Sequence, residues 1–478
     1  MNKGTLKENL IYQGLYQVIR MMTPMITIPI VSRAFGPSGV GVSSFSFTIV
    51  QYFLMIASLG VQLYFNRLIA ENDQSKRKLS QTFWNIFVSK ALLSIVVLFC
   101  YLLMVFWFID SYQLIFYLQG IFLIGAFFDI SWYYAGVEKF KLPSLINMLM
   151  SFLVLIVVVC FVHDPSDLAL YTFIIAAITV FNQIPLFFNL FREIEFTSIQ
   201  WRQVGFIIKS SFAYFLPNGQ LNLFTSLNCL VIGVSLTYKD VGIFSNTFNI
   251  LTVAIILVNT IDLVMLPRLT KLTQNGHKSI KKILESNIHV QLLLTIPMVF
   301  GVIAIMPQFY IWFFGKSFYE SVPLMTVLSI LLVIIPLNMM MSRQYLLAKH
   351  RVASYNLSLI VGGLVNTILS FALIFPIGIY GIAVARIIAE TIILIWRFVD
   401  IKKEGIIYHS ASIVKSLISS CLMYIVIVFI APYLHPPMLT TMIEIITGIL
   451  IYLICNLMLK NEHLIFVLRS MLRKEKSI

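Results

Sequence analysis

Charged side chains lie within the long apolar segments of the sequence, where a charge near the centre of a bilayer costs about 2.5 to 3.5 kcal/mol. Arg20 lies roughly three helical turns into the first of these segments. Its guanidinium is permanently charged and can donate two parallel hydrogen bonds to a phosphate group, whereas it repels a cation. Arg20 therefore predicts a site for an anionic ligand. The alternative is a buried ion pair between Arg20 and a carboxylate such as Asp129 or Asp262.

Other ionisable groups within apolar segments are candidates for coupling an ion. Arg386 and Glu390 are four residues apart, so they can pair on one face of a helix, and both a structural ion pair and a coupling site fit this spacing. Asp129, Asp262 and Glu444 lie within about one or two turns of helix ends. Each carboxylate can take up H⁺ or Na⁺, and the sequence does not choose among them. No other cofactor is expected.

Three cations lie closer to the predicted helix ends. Arg67 and Arg268 stand at the ends of the second and eighth apolar segments, where they are candidates for first capture of an anionic headgroup. Most arginines at such positions anchor the topology of the chain, which is the alternative. Lys90 is expected to extend its amine along its apolar stem to the interface.

Polar side chains recur at helical spacing along four of the apolar segments, which predicts one polar face on each helix. An offset of 201 residues places Gln17 over Asn218 and Thr27 over Asn228, so the first two helices overlay the seventh and eighth. Such polar residues also join helices by hydrogen bonds, and chance matches are easy in apolar sequence. Four stripes on two repeat-related pairs nevertheless favour a water-filled cavity. The residues predicted to line it are Arg20, Gln13, Gln17, Thr27, Gln51, Asn218, Asn222, Asn228, Asn249 and Asn259.

Aromatic residues near helix ends have two interpretations. They can stack on sugar rings, or they can belong to the aromatic belt at the membrane interface, which is the simpler explanation. The residues concerned are Trp84, Trp107, Trp132, Tyr133 and Tyr134.

The elements that carry these residues are predicted from composition. Of 478 residues, 59% are apolar and only 11% are charged, whereas a soluble domain is roughly a quarter charged. The apolar segments are too long for the strands of an outer-membrane barrel, and about fourteen of them match the roughly 20 residues that a helix needs to cross a bilayer. The predicted fold is an all-α polytopic membrane protein. Its spans are 9–33, 40–65, 82–109, 112–135, 144–162, 168–191, 210–235, 241–266, 285–306, 320–346, 354–375, 378–398, 414–432 and 438–459.

The net charge of +14 is explained by topology. With the N-terminus inside, most of the 34 Lys and Arg residues fall in the N-terminal tail, alternate loops and the C-terminal tail. This asymmetry is the positive-inside rule, which places both termini in the cytoplasm and leaves no excess charge that calls for nucleic-acid binding. The tail after residue 460 alternates apolar and basic residues, which is typical of an interfacial helix on anionic lipid, and a partner-binding tail is the alternative.

The predicted loops are short, which excludes several classes of protein. The sequence contains no GxxxxGK[ST] phosphate loop and no Cys/His cluster with metal spacing. An ATP-driven pump and an enzyme are therefore not expected, because neither has room for its chemistry. A membrane glycosyltransferase or polymerase would need a sizeable external loop. A structural scaffold would leave the four polar stripes unexplained.

Several short motifs resemble those of one transporter family. They lie at 29–41 (PIVSRAFGPSGVG), 59–70 (LGVQLYFNRLIA), 128–140 (FDISWYYAGVEKF), 241–245 (VGIFS), 314–318 (FGKSF) and 344–347 (QYLL). At these residues the sequence resembles the Wzx-type polysaccharide flippases of the MOP exporter superfamily, which also includes MATE drug antiporters and the MurJ lipid II flippase. Each motif is weak by itself, but together they span nearly the whole chain.

The resemblance implies an architecture and a function. It implies two six-helix lobes, 1–204 and 205–400, followed by two further helices and an amphipathic tail over 401–478. It also implies alternating access in a bacterial cytoplasmic membrane, moving an oligosaccharide repeat unit on undecaprenyl pyrophosphate to the outer leaflet. Membrane lipids and the polysaccharide polymerase machinery would be partners. Arg20 fits the cationic cavity of the family, whereas Asn228-Cys229 replaces the Asp-Lys that relatives often carry late in helix 7.

Two rivals share the fold. A MATE-like, cation-coupled drug antiporter would place unpaired carboxylates in its cavity in place of Arg20. A lipid II flippase would carry a different headgroup on the same kind of lipid.

Overall fold

The computed structural model describes residues 6–58, 65–66, 68–69, 75–213, 226–273, 277–349, 351–402 and 410–465, and the side chains within them except at 6, 7, 9, 10, 21, 212, 213, 260–273, 277–283 and 410. These residues form α-helices with short 3₁₀ and π segments, and no strand occurs among them. The structure therefore agrees with the predicted all-α fold.

Twelve helical segments in the described part of the chain are long and apolar enough to cross a membrane. One of them, Ile11–Ala57, covers the first two predicted spans, and the other eleven correspond to spans three to six and eight to fourteen. The predicted seventh span, 210–235, is described only at its two ends. The count of fourteen therefore stays a prediction, as does the orientation.

The chain divides into two compact units, Met1–Gly242 (unit 1) and Ile243–Ile478 (unit 2). The helices of unit 1 are α1 Leu6–Ala57, α2 Lys76–Phe108, α3 Gln113–Gln119, α4 Ile121–Phe128, α5 Ser131–Gly136, α6 Lys141–Phe161, α7 Leu168–Phe181, α8 Ile184–Leu190, α9 Trp201–Ala213 and α10 Ser226–Ser235. Helix α11, Tyr238–Thr273, begins in unit 1 and continues into unit 2. The lobe boundaries at residues 204 and 400 stay a prediction.

Helix α1 changes direction at Gly36, where φ is 61° and ψ is −177°. This region of backbone geometry is open to glycine and costly for other residues, so the Gly36-Pro37 step separates the two spans within α1.

A contact just after this kink follows the 201-residue offset. A Cβ atom added at Gly41 would overlap the carbonyl oxygen of Tyr238, and one added at Gly242 would overlap that of Pro37. The offset maps Pro37 onto Tyr238 and Gly41 onto Gly242. The two halves of the contact are therefore equivalent under the proposed repeat, which favours a true repeat over a chance match.

The aromatic residues of the 128–140 motif lie in the core of unit 1. Trp132, Tyr133 and Tyr134 are 1%, 0% and 1% exposed, and they pack with Phe65 and Phe83. The prediction that these three belong to an interfacial belt or a sugar-stacking surface is therefore wrong. The chain turns inward between α4 and α5, and their polar atoms find internal partners, such as the carbonyl oxygen of Leu186, 2.7 Å from the Tyr134 hydroxyl.

Unit 2 contains the rest of α11 and seven further helices. They are α12 His277–Phe313, α13 Ser321–Leu328, α14 Leu331–Met341, α15 Val352–Ile377, α16 Ile379–Lys402, α17 Ser410–Ile430 and α18 Pro437–Met458. A π-helical stretch, Ser342–Leu347, follows α14. Helices α15 and α16 pack as a hairpin, and α17 and α18 pack on α12 through an apolar cluster that includes Leu293, Met423 and Ile427.

Candidate functional site

The first span of α1 packs within unit 1 through a narrow face. Tyr12, Tyr16, Ile19 and Thr23 are half-buried and recur at steps of four and three residues, which places them on one side of a helix. Helix α6 is a neighbour on this side, and the Lys141 ammonium lies 5.2 Å from the centre of the Tyr12 ring.

The two exposed sides of this span differ in polarity. Gln13, Gln17 and Arg20 are exposed on one side of the packing face. The opposite side exposes apolar residues, namely Ile11, Leu15, Val18 and Met22, with 49% to 55% of their surface accessible. Hydrocarbon accommodates the apolar side but not uncompensated polar groups. The side that carries Arg20 therefore requires water.

Arg20 makes no hydrogen bond or ion pair with another described residue. Asp129, one of its two suggested carboxylate partners, is instead paired with Lys90, and the side chain of Asp262 lies outside the described residues. The geometry thus leaves the guanidinium accessible from the polar side of α1, where an anion can reach it.

The other predicted lining residues occupy several environments. Asn249 is exposed on α11 and Gln51 is half-buried on α1. Thr27, Asn228 and Asn259 are buried, and the Asn259 amide nitrogen lies 2.9 Å from the sulfur of Met339. Outside the described residues lie Asn218, Asn222 and Arg67, together with the side chain of Arg268. The polar face described here is therefore formed by Gln13, Gln17 and Arg20.

Lys90 and Asp129 form an ion pair inside unit 1. The Lys90 side chain is 1% exposed, and its Nζ lies 2.9 Å from Oδ2 and 2.6 Å from the carbonyl oxygen of Asp129. The prediction that Lys90 reaches the interface is wrong, because the break between α4 and α5 frees this carbonyl and brings the carboxylate beside it. The same carboxylate accepts a hydrogen bond from the Ser131 amide at 3.0 Å.

A second interrupted helix contacts the break between α4 and α5. Helices α7 and α8 are separated at Asn182 and Gln183, and the Gln183 Oε1 accepts a 3.3 Å hydrogen bond from the Ile130 amide. Irregular backbone at membrane depth is tolerated where protein or a water-filled space satisfies it. Discontinuous helices of this kind are frequent at the substrate and ion sites of transporters.

Arg386 and Glu390 form the ion pair that their spacing predicted, with Arg386 Nη2 2.8 Å from Glu390 Oε1. The pair belongs to a larger buried network. Asn338 of α14 donates to Glu390 Oε2 at 2.8 Å, and Arg397 donates to the Asn338 carbonyl at 2.7 Å. Arg397 is 2% exposed.

Among the described residues, this network joins the guanidinium groups of Arg386 and Arg397 to the one carboxylate of Glu390 through Asn338. Sequence reasoning missed Arg397 because an arginine near the end of a predicted span resembles a topology anchor. The signal that was available is helical spacing, since Arg386, Glu390 and Arg397 follow one another at steps of four and seven.

Glu444 lies in α18 and is 2% exposed. Neither of its carboxylate oxygens has a hydrogen-bond partner among the described residues. It differs in this respect from Asp129 and Glu390, which are both paired.

Comparison with known protein families shows which family the chain belongs to. Residues 6–273 match the family described as "Polysaccharide biosynthesis protein", which is more than half of the 478 residues. The chain belongs to this family. It is 23% identical over 401 residues to the protein described as "Putative O-antigen transporter" of Escherichia coli (strain K12), covering 82% of this chain and 95% of that protein.

Solved structures show the same fold. The chain is similar to the lipid II flippase MurJ in an inward closed conformation, with a TM-score of 0.77 and 15% identity over 94% of this chain and 98% of that one. It is also similar to an inward-facing multidrug resistance MATE transporter of the MOP superfamily, with a TM-score of 0.60 and 15% identity over 83% and 99% of the two chains.

These likenesses confirm the predicted fold class and family. The chain is a multi-pass membrane transporter of polysaccharide biosynthesis with the MOP fold. The prediction of a transporter is confirmed over that of an enzyme, because the matched proteins are transporters and a flippase.

Proposed function

We propose that this protein moves oligosaccharide repeat units, linked to undecaprenyl pyrophosphate, from the cytoplasmic to the outer leaflet of a bacterial cytoplasmic membrane. Membership of the polysaccharide biosynthesis family and the likeness to an O-antigen transporter support a polysaccharide substrate. The MurJ-like fold is a suitable scaffold for alternating access. The polymerase machinery would receive the product.

The observation that carries this proposal is the polar face of α1. Arg20 stands exposed beside Gln13 and Gln17, with apolar residues on the opposite side of the helix. A guanidinium can bind a diphosphate through paired hydrogen bonds, and amide side chains can bind sugar hydroxyls. The lipid tail remains in hydrocarbon while the headgroup follows the polar face.

The pairing of charges supports an anionic headgroup. Asp129 is paired with Lys90, and Glu390 is paired with Arg386, so neither carboxylate is left to attract a cation. The guanidinium of Arg20 is exposed on the polar face of α1, where it attracts an anion and repels a cation.

The driving force that we propose is the membrane potential. Negative charge that moves outward across an inside-negative membrane gains about 2.3 kcal/mol per charge per 100 mV. Uptake of H⁺ or Na⁺ is the competing proposal, with Asp129, Asp262, the Arg386–Glu390 pair and Glu444 as its candidate groups. Headgroup translocation that ignored both the potential and ion gradients would refute potential-driven export.

Deletion of the gene followed by lipid extraction tests the function. We expect complete undecaprenyl-linked repeat units to accumulate on the cytoplasmic leaflet, and unchanged surface polysaccharide would contradict the proposal. Accumulation of lipid II instead would show that a peptidoglycan precursor is the substrate.

Complementation then tests the site. Arg20→Ala should fail to restore export at normal protein level, whereas Arg202→Ala, which removes an exposed arginine of α9, should restore it. Equal restoration of export by both variants would show that export does not require Arg20.

A further inference from the structure

Unit 1 contains an apolar pocket to which α1, with its polar face, contributes no lining residue. The pocket has a volume of about 530 Å³ and lies between α2, the end of α4, and α7 with α8. Six of its nine lining residues are aromatic: Trp84, Phe87, Phe128, Phe187, Phe188 and Phe191.

The pocket opens at an exposed surface of unit 1. Phe188 is 72% exposed and Phe191 is 49% exposed, so these rings form its outer edge. The one polar lining group, Gln183, has its carbonyl oxygen occupied by the Ile130 amide. A helix face exposed at this depth meets lipid, so hydrocarbon can enter without crossing a polar barrier.

The walls of the pocket are held in place. The Trp84 indole nitrogen donates to the Glu195 carbonyl at 3.0 Å, and its ring stacks on Phe196 with 4.8 Å between ring centres. Phe191 also stacks on Phe196, with 5.8 Å between ring centres. The pocket is therefore a preformed slot with rigid aromatic sides.

A cationic residue, Arg192, directly follows the lining residue Phe191. Directly after Phe191 come Arg192 and two glutamates, and each glutamate is paired with a lysine. Glu193 lies 2.6 Å from Lys139, and Glu195 lies 3.0 Å from Lys76. Arg192 is exposed and has no carboxylate partner among the described residues. This segment belongs to the side of the membrane that the charge distribution predicts to be cytoplasmic.

An apolar slot whose last lining residue is followed by an exposed arginine is complementary to a lipid with an anionic head. We propose that this pocket binds the polyprenyl chain of the lipid-linked substrate, with the phosphate nearest the chain held at Arg192. The inference rests on the proposed function, since it names where the tail of that substrate is held before the headgroup enters the path.

The chemistry of the chain decides between a polyprenyl tail and the acyl chain of a phospholipid. Moving either from the bilayer to the pocket gains little from the hydrophobic effect, because lipid is as apolar as the pocket. Binding then depends on fit and on the chain freedom that is lost. A polyprenyl chain has a rigid double bond in every isoprene unit, so it loses less freedom in a preformed slot than a saturated chain.

Lipid retention by the purified full-length protein tests this inference. The protein is exposed to equal amounts of undecaprenyl monophosphate and dipalmitoyl phosphatidic acid, which share a phosphate head, and bound lipid is counted by native mass spectrometry. We expect wild type to retain undecaprenyl monophosphate about tenfold better than phosphatidic acid. Equal retention of the two lipids would overturn the proposal.

Variants then locate the binding. Val180→Trp fills the pocket and should lower undecaprenyl monophosphate retention about tenfold. Phe188→Ala and Arg192→Ala remove exposed groups, so they leave the core intact, and each should lower retention about threefold. Leu149→Trp, at a 59% exposed position of α6, is the matched control and should bind like wild type. Wild-type retention by all three pocket variants would place the lipid elsewhere and refute the pocket.

The outcome is separable from that of the proposed function, because undecaprenyl monophosphate carries no glycan. Normal retention by the pocket variants together with accumulation of repeat units in the deletion strain would refute the pocket and leave the function. Selective retention at the pocket with no accumulation in that strain would refute the function.

Discussion

In unit 1, Lys90 and Asp129 match one cation to one anion where α4 gives way to α5. In unit 2, Glu390 is shared by a network that contains both Arg386 and Arg397, and it lies within the continuous helix α16. Lys90, Arg386, Glu390 and Arg397 are buried, whereas the Asp129 side chain is 31% exposed. The first group joins one cation to one anion and satisfies a broken backbone, whereas the second links two arginines to one carboxylate within the described residues.

The difference separates two uses of buried charge. Lys90 donates to a carbonyl oxygen as well as to the carboxylate of Asp129, so its main effect is to make a helix break tolerable in the membrane. The unit 2 network needs no such repair, and it instead joins α16 to α14 through Asn338. Substitutions in each group should therefore have different consequences.

The largest effect is expected in unit 2. Glu390→Gln leaves Arg386 and Arg397 without their carboxylate and should lower the free energy of unfolding by about 3 to 5 kcal/mol. Arg397→Met keeps the Arg386–Glu390 pair and loses a hydrogen bond to Asn338, which costs about 1 to 3 kcal/mol. Thermal unfolding of the purified variants measures both. An equal loss in the two variants would show that Glu390 is no more important to the network than Arg397.

Substitution of either member of the unit 1 pair should lower the free energy of unfolding by a similar amount. Lys90→Met leaves Asp129 unpaired and should cost about 3 kcal/mol, and Asp129→Asn should cost a similar amount. The double variant removes both charges, so it should lose less than the sum of the single variants. Lys209→Met, at an exposed position of α9, should change unfolding by less than about 0.5 kcal/mol. Additive losses would show that the two residues do not act as a pair.

A smaller effect is expected at the close contact of Gly41 and Gly242, two residues that the 201-residue offset relates. Gly41→Ala and Gly242→Ala each place a methyl group against a backbone carbonyl oxygen in the other copy of the repeat. Each substitution should lower the free energy of unfolding by about 1 to 3 kcal/mol. Gly14→Ala is the matched control, because nothing lies within 4 Å of its added Cβ. Clearly unequal losses at Gly41 and Gly242 would weaken the repeat.

Sequence reasoning was most successful where a local rule applied. Apolar length gave the described spans, and the spacing of Arg386 and Glu390 gave their ion pair. The polar face at Gln13, Gln17 and Arg20 followed from helical periodicity. Each of these depends on residues within a few turns of one another.

The missed features depend on distant parts of the chain. The partner of Lys90 lies 39 residues away and reaches it only because the chain breaks between α4 and α5, and hydropathy does not reveal that break. Burial of Trp132, Tyr133 and Tyr134 follows from the same turn. The pocket beside α8 likewise requires two interrupted helices to meet, which no spacing within one helix predicts.

The central claim is that the polar face of α1 conducts an anionic headgroup. Its most direct measurement is the initial rate at which purified protein in proteoliposomes moves an undecaprenyl-pyrophosphate-linked oligosaccharide between leaflets, under an imposed potential. Arg20→Ala should slow this rate at least about tenfold, equivalent to roughly 1.4 kcal/mol, and Arg202→Ala should leave it unchanged. A rate for Arg20→Ala equal to that of wild type would contradict the account.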